Sequence, residues 1–249
     1  MHLLLLVLGL GSQGEMPLKD YGVGPRSVLA GPASTLSLVH KPLLRGISHA
    51  AAFVAALPLG VLLCLTADTA RERIGVIAFA AAVAVMFGAS ALFHRGNWSD
   101  RLRRWMRALD HAGIFVLIAG TYTAFGLVAL DGAWRWTVLA IVWGGAACAI
   151  LLNVAWRSSP RWLTGVLAIA LGWVGVIVAP KLAAEIGAGG VTLVVAGGLA
   201  YTAGAVIFAT RRPNPFPATF GYHEVFHVLV ITAVACHYVA LAFFAVPGA

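Results

Sequence analysis

The stretch Ile74–His94, IGVIAFAAAVAVMFGASALFH, contains no Asp, Glu, Lys or Arg. At a rise of 1.5 Å per residue, a helix of this length extends about 30 Å, which matches the hydrocarbon thickness of a bilayer. Of all 249 residues, 61% are hydrophobic and 10% are charged, whereas a soluble domain carries about 25% charged residues. We therefore expect an all-α membrane protein. This composition excludes intrinsic disorder, and three cysteines within apolar runs exclude a secreted disulfide scaffold.

Six further apolar stretches of similar length bring the expected number of membrane spans to seven. The expected spans are Ile47–Thr66, Ile74–His94, His111–Leu130, Trp136–Trp156, Trp162–Pro180, Ile186–Thr210 and Tyr222–Val246. Glycines 187, 189 and 190 blur the boundary between the fifth and sixth spans. We expect residues 46–249 to form one seven-helix transmembrane bundle, preceded by a flexible or interfacial tail at residues 1–45.

The distribution of basic residues predicts the orientation, because Lys and Arg are retained on the cytoplasmic side. With seven spans, thirteen of the seventeen Lys and Arg residues fall on the side of the N-terminus. The N-terminus is therefore predicted to be cytoplasmic and the C-terminus outside, in a multi-pass protein of the cytoplasmic membrane. The same basic residues suit anionic lipid, so membrane lipids are the expected partners and nucleic acid is not.

Polar side chains of three spans are predicted to meet at the cytoplasmic face. The second span ends with Ser90-x-x-x-His94, the third begins beside Asp110, and the seventh begins with His223-x-x-x-His227. Ionisable groups in hydrocarbon are costly, so their presence marks a functional site. Histidines four residues apart share one helix face, and three histidines with one position left for water form a catalytic zinc arrangement.

We predict that His94, His223 and His227 bind Zn²⁺. Asp110 is the predicted catalytic partner, which holds the water, accepts its proton or orients a histidine. Ser90 is the second predicted catalytic residue, as a hydrogen-bond partner of the water or of the oxyanion.

Two other histidines and one glutamate are interpreted differently. His49 and His237 are expected to be core histidines, and His237 lies about 15 Å along the helix from His227, too far to reach the same ion. The sequence His223-Glu224-x-x-His227 also matches the zincin motif, in which the glutamate is the general base. An intramembrane zinc protease stays a minor alternative, because no Asp or Glu follows His227 as a further ligand.

These motifs, together with Ile118-Ala119-Gly120-Thr121-Tyr122 in the third span, resemble those of the hemolysin III branch of the progestin and adipoQ receptor family. The resemblance extends from about Ile47 to Val246. It implies seven helices, a cytoplasmic N-terminus and zinc on His94, His223 and His227. In the related adiponectin receptors the position of Asp110 contacts the metal through water, and a ceramidase-like hydrolysis of lipid amides has been proposed. Those receptors have no glutamate at the position of Glu224, which favours Asp110 as the base.

The expected function is that of a zinc-dependent hydrolase of lipid amide or ester bonds. The alternative is a non-enzymatic protein with structural zinc, either a sensor or receptor of membrane state or a membrane-permeabilising cytolysin. Few polar residues occur in the fourth, fifth and sixth spans, which argues against a wide pore.

Overall fold

The computed structural model describes residues 42–156 and 161–246, with Arg161 as backbone only. Within these residues the secondary structure is helical and no strand is formed. The helices are α1 (Ile47–Leu65), α2 (Ala70–Arg95), α3 (Asp100–Ala129), α4 (Gly132–Ala155), α5 (Arg161–Gly172), α6 (Ala179–Thr210) and α7 (Tyr222–Ala240). A 3₁₀ segment, Trp173–Val178, joins α5 to α6, and a π-helical segment, Leu241–Ala245, follows α7. All of the predicted tail except residues 42–45 lies outside the described residues.

Six helical stretches in the described part of the chain are long and apolar enough to cross a membrane. One of them, Trp162–Thr210, has 49 residues and includes both the fifth and the sixth predicted spans. Within it, Gly187 has φ 67° and ψ 175°, a conformation that interrupts the helix and that glycine adopts without steric cost. The chain is a multi-pass membrane protein.

The ends of two helices are set by local hydrogen bonds. At the start of α2, Thr69 and Glu72 form a capping box: the Glu72 amide donates to the Thr69 hydroxyl over 3.2 Å, and the Glu72 carboxylate accepts from the Thr69 amide. At the start of α7, the Gly221 amide donates to the Glu224 carboxylate over 2.8 Å. Both contacts fix where a helix that carries site residues begins.

Helix α3 begins earlier than the hydropathy pattern predicts. It starts at Asp100, whereas the expected span starts at His111. The additional turns contain Arg101, Arg103 and Arg107, which are exposed. Arginine favours helix as strongly as leucine does, but a hydropathy pattern recognises only the apolar part of a helix. Asp110 therefore lies well inside a helix, not at its first residue.

Two clusters of buried apolar residues hold the helices together, and α3 contributes to both. One includes Phe79 of α2, Phe125 of α3 and Val234 of α7, and the other joins Phe115 of α3 to Val142 of α4. Many large apolar side chains on the outer faces are exposed, in contrast to a soluble protein. A bilayer would cover these faces, so they fit a protein whose exterior contacts lipid.

Helices α2 and α3 pack closely at Gly120. A Cβ atom there would meet the side chain of Ala82 and lie 2.9 Å from the carbonyl oxygen of Ala78. We predict that Gly120→Ala lowers the stability by about 1 to 3 kcal/mol through overpacking, measured as thermal unfolding in detergent. The control is Gly144→Ala, an exposed helix position with no atom within 4 Å, which should be neutral or stabilising. Equal melting temperatures for the two variants would contradict this packing.

Candidate metal centre

Three histidines from two helices lie together at one end of the bundle. His94 belongs to the last turn of α2, and His223 and His227 belong to the first two turns of α7. Their candidate ligand atoms all lie within 4.8 Å of one another, so this group could hold a metal ion. His94 and His227 are buried, whereas His223 is half-buried. The structure thus brings together the three residues that the sequence analysis selected as ligands.

The geometry of the histidine cluster fits coordination of one cation. The Nε2 atoms of His94 and His223 lie 3.2 Å apart. Two nitrogens bound to tetrahedral zinc at 2.0–2.1 Å are separated by about 3.3 Å. Two neutral imidazole nitrogens at this distance need a shared proton or a cation, because their lone pairs otherwise face each other.

His227 supports the same interpretation. Its Nδ1 atom is buried and has no hydrogen-bond partner among the described residues. A buried nitrogen without a partner is costly, and a metal bound through this nitrogen would remove that cost. Three imidazole nitrogens suit Zn, Cu, Fe or Ni, so the donor set fits a transition metal rather than Mg²⁺ or Ca²⁺.

Asp110 and Ser90 lie beside the cluster. The Oδ2 atom of Asp110 is 3.8 Å from Nε2 of His94, and the carboxyl group also interacts with the Ser90 hydroxyl. Ser90 is buried, and its Oγ atom lies 2.8 Å from Nδ1 of His49. A carboxylate only accepts hydrogen bonds, so Ser90 donates to Asp110 and accepts from the Nδ1–H group of His49. These three side chains form one connected series that reaches the histidine cluster.

His49 is a site residue whose neighbours the sequence analysis missed. The residue is buried in α1, as a core histidine would be, but its ring stacks on that of His227 with centroids 3.7 Å apart and planes 11° apart. One signal in the sequence pointed to this contact. His49 lies at the start of the first span, at the same membrane depth as the end of the second span and the start of the seventh. By contrast, His237 lies ten residues beyond His227 and bonds to Val194.

Glu224 is engaged elsewhere than in the cluster. Its side chain is 2% exposed, one carboxylate oxygen forms an ion pair with Arg45, and the other accepts from the Gly221 amide. Arg45 precedes α1, so the pair connects that segment to the start of α7. A zincin base needs a free oxygen directed at the substrate, and both oxygens of Glu224 have partners. The zincin interpretation therefore gains no support.

A cavity of about 1820 Å³ passes the cluster and extends between the helices. The histidine cluster and Asp110 line one part of it, and Tyr201 and His237 line another. Pockets for drug-sized ligands typically occupy about 300–1,000 Å³, so this cavity has room for a lipid chain.

The sequence matches a family model described as Haemolysin-III related over residues 37–238. The chain belongs to this family. Hemolysin-3 of Bacillus cereus is 27% identical over 214 residues, which cover 85% of this chain and 94% of the relative. The Hemolysin-3 homolog of Bacillus subtilis (strain 168) is 25% identical over 211 residues, which cover 84% and 96%. The prediction of a hemolysin III relationship is confirmed. The residues of this haemolysin-III related protein that match the family model include every residue of the candidate centre.

The pair between Arg45 and Glu224 is expected to stabilise the site end of the bundle. Because Glu224 is buried, Arg45→Met leaves its charge without a partner, and the expected loss is about 3 to 5 kcal/mol in thermal unfolding in detergent. The double variant Arg45→Met with Glu224→Gln should recover part of this loss. As a control, Arg71→Met removes an exposed pair with Asp131 at 3.5 Å and should cost less than about 1 kcal/mol. A loss from Arg45→Met no larger than the control would contradict the assignment.

Proposed function

We propose that this haemolysin-III related protein is a zinc-dependent hydrolase of lipid amide or ester bonds. The observation that carries the proposal is a cluster of three histidine nitrogens within 4.8 Å, beside a carboxylate and on the wall of a large cavity between the helices. Three protein ligands leave a coordination position open, as in catalytic zinc sites. When bound, zinc would act as a Lewis acid that polarises a carbonyl oxygen and lowers the pKa of water.

We further propose seven crossings in the cytoplasmic membrane, with the N-terminus inside and the C-terminus outside. The stretch Trp162–Thr210 is more than twice as long as the roughly 20 residues that one crossing needs, and Gly187 interrupts its helix. The exposed arginines 101, 103, 104 and 107 lie on α3 near the end that holds the histidine cluster. Under the positive-inside rule they support a cytoplasmic location for that end.

The proposed reaction assigns a role to each site residue. Water adds to the carbonyl carbon, the carbon–nitrogen or carbon–oxygen bond breaks, and the proton lost by water ends on the leaving amine or alcohol. Asp110 carries this proton, because its carboxylate lies 3.8 Å from the His94 nitrogen and so borders the place of reaction. Ser90 orients Asp110 by a hydrogen bond, and His49 in turn orients Ser90. The apolar cavity walls hold the lipid chain and limit the access of bulk water.

A second candidate is a membrane-permeabilising protein in which the metal is structural. The names of the two Bacillus relatives favour it. In that case the metal would join α2 to α7, and its coordination would be completed by protein. An open coordination position together with lipid hydrolysis distinguishes the enzyme from this candidate.

Metal analysis tests the histidine cluster. We expect the purified protein to contain one zinc ion per chain by mass spectrometry, and His227→Ala to lose it because one of three ligands is removed. His237→Ala provides a matched control, since this residue is also a buried histidine of α7 but lies about 15 Å along the helix axis from the cluster. Metal retained in His227→Ala, or absent from the wild type, would contradict the site.

Hydrolysis tests Asp110. We expect Asp110→Asn to keep the metal and to lose a factor of about 10² or more in the rate of lipid amide or ester hydrolysis, since the amide cannot accept a proton. The control is Asp100→Asn, an exposed position in the first turn of the same helix. The measurement is fatty-acid release from a panel of lipid amides and esters in nanodiscs. Unchanged hydrolysis with the metal retained would remove Asp110 from the reaction.

A further inference from the structure

The cavity contains a second pair of polar side chains, remote from the histidine cluster. Tyr201 of α6 and His237 of α7 both line it, and their ring centroids lie 5.7 Å apart. His237 is ten residues from His227 on one helix, which corresponds to about 15 Å along the axis. The pair is therefore separate from the metal centre but continuous with it through the cavity.

The hydrogen bond of His237 determines which of its nitrogens is free. Its Nε2 atom lies 3.2 Å from the carbonyl oxygen of Val194, and a carbonyl only accepts, so Nε2 carries the hydrogen. In the neutral ring, which hydrocarbon surroundings favour, Nδ1 is then an acceptor. This Nδ1 atom is buried and has no hydrogen-bond partner among the described residues. Gly197 makes the arrangement possible, because a Cβ atom there would lie 2.7 Å from Cδ2 of His237.

Tyr201 contributes the complementary donor. It follows Gly197 by four residues and so lies on the same face of α6, one turn further along. Its hydroxyl is also buried and without a partner in the described part of the chain. The pair thus has one unpaired acceptor and one unpaired O–H donor, on two residues that line the same cavity.

Three other hydroxyl groups along the cavity have hydrogen-bond partners within the protein. Thr121 donates to the carbonyl of Leu117 over 2.8 Å, and Thr202 donates to the carbonyl of Gly198 over 2.8 Å. Tyr122 donates to the Gly172 carbonyl and accepts from an amide of the 3₁₀ segment. Buried polar atoms without partners are uncommon in proteins, so two of them on neighbouring residues that line one cavity call for a ligand group.

We propose that Tyr201 and His237 form a subsite for a hydroxyl group of a lipid in the cavity. The lipid hydroxyl donates to Nδ1 of His237 and accepts from the Tyr201 O–H group. A hydroxyl is suited to this pair because it donates and accepts through a single small atom. The expected ligand is a lipid with a hydroxyl near the middle of its chain, since the subsite lies about 15 Å along α7 from the cluster. Only the statement that the reactive bond lies at the cluster rests on the proposed function.

Binding of matched fatty amides tests the subsite without turnover. The probes are an unsubstituted saturated fatty amide and isomers of the same length with one hydroxyl, placed mid-chain or beside the amide group. Affinities are measured with the full-length protein in detergent by displacement of a fluorescent fatty acid. We expect the mid-chain isomer to bind wild type about five- to tenfold more tightly than the unsubstituted amide. The isomer with the hydroxyl beside the amide should show no such gain.

Two variants separate the subsite from general effects on the cavity. Tyr201→Phe should reduce the preference for the mid-chain isomer to less than about twofold and leave the affinity for the unsubstituted amide unchanged. Tyr122→Phe should keep the preference, because that hydroxyl is already bonded within the protein. Metal content serves as the check that Tyr201→Phe is folded.

The possible results divide clearly. A buried water molecule could also supply an O–H group to this pair. If Tyr201 and His237 bind only water, the wild type shows no preference among the probes, and this result overturns the proposal. A preference that survives Tyr201→Phe also overturns it. Loss of the preference for the mid-chain isomer in Tyr201→Phe supports the subsite, even if no lipid is hydrolysed. Hydrolysis without any such preference supports the proposed function but contradicts the subsite.

Discussion

The interior of a bilayer supplies no hydrogen-bond partners, and this constraint governs the whole structure. Each backbone N–H and C=O group must find its partner inside the protein, so the described spans are helical. Hydroxyl side chains obey the same rule: Thr121, Thr202 and Thr232 each donate to the carbonyl four residues earlier in the helix. Such side chains add no unpaired polar group to the bundle and need no contact with another helix.

Side chains that cannot be satisfied within one helix have to be satisfied between helices. This requirement explains why the polar residues of α1, α2, α3 and α7 cluster at one end of the bundle. Glu224 is buried with Arg45 and with the Gly221 amide just before α7, so its charge is compensated. The imidazoles of His94, His223 and His227 instead face each other, which leaves their lone pairs to be shared with a proton or a cation. The same reasoning distinguishes the structural ion pair of Glu224 and Arg45 from the three histidines that are candidate metal ligands, although both lie at the same end of the bundle.

Much of the fold could be predicted because it depends on local properties of the chain. Apolar length placed the starts of the first and last described helices, Ile47 and Tyr222, where the structure has them. Hydropathy did not predict helix where the residues are polar, as in the arginine-rich first turns of α3. It also left the boundary between the fifth and sixth predicted spans open. There a glycine breaks the helix within a continuous apolar stretch, and hydropathy does not register a backbone dihedral angle.

The sequence by itself determined the class of the protein, its family motifs and the set of histidines that meet, because apolar length and helical periodicity decide which residues share a membrane depth and a helix face. Only the tertiary structure decided which side chains of different helices are in contact. The stacking of His49 on His227, the pairing of Glu224 with Arg45 and the facing of Tyr201 and His237 each join residues of different helices. Periodicity describes one helix at a time, whereas the rotation and approach of two helices depend on how their side chains pack, as the contact of α3 with α2 at Gly120 illustrates.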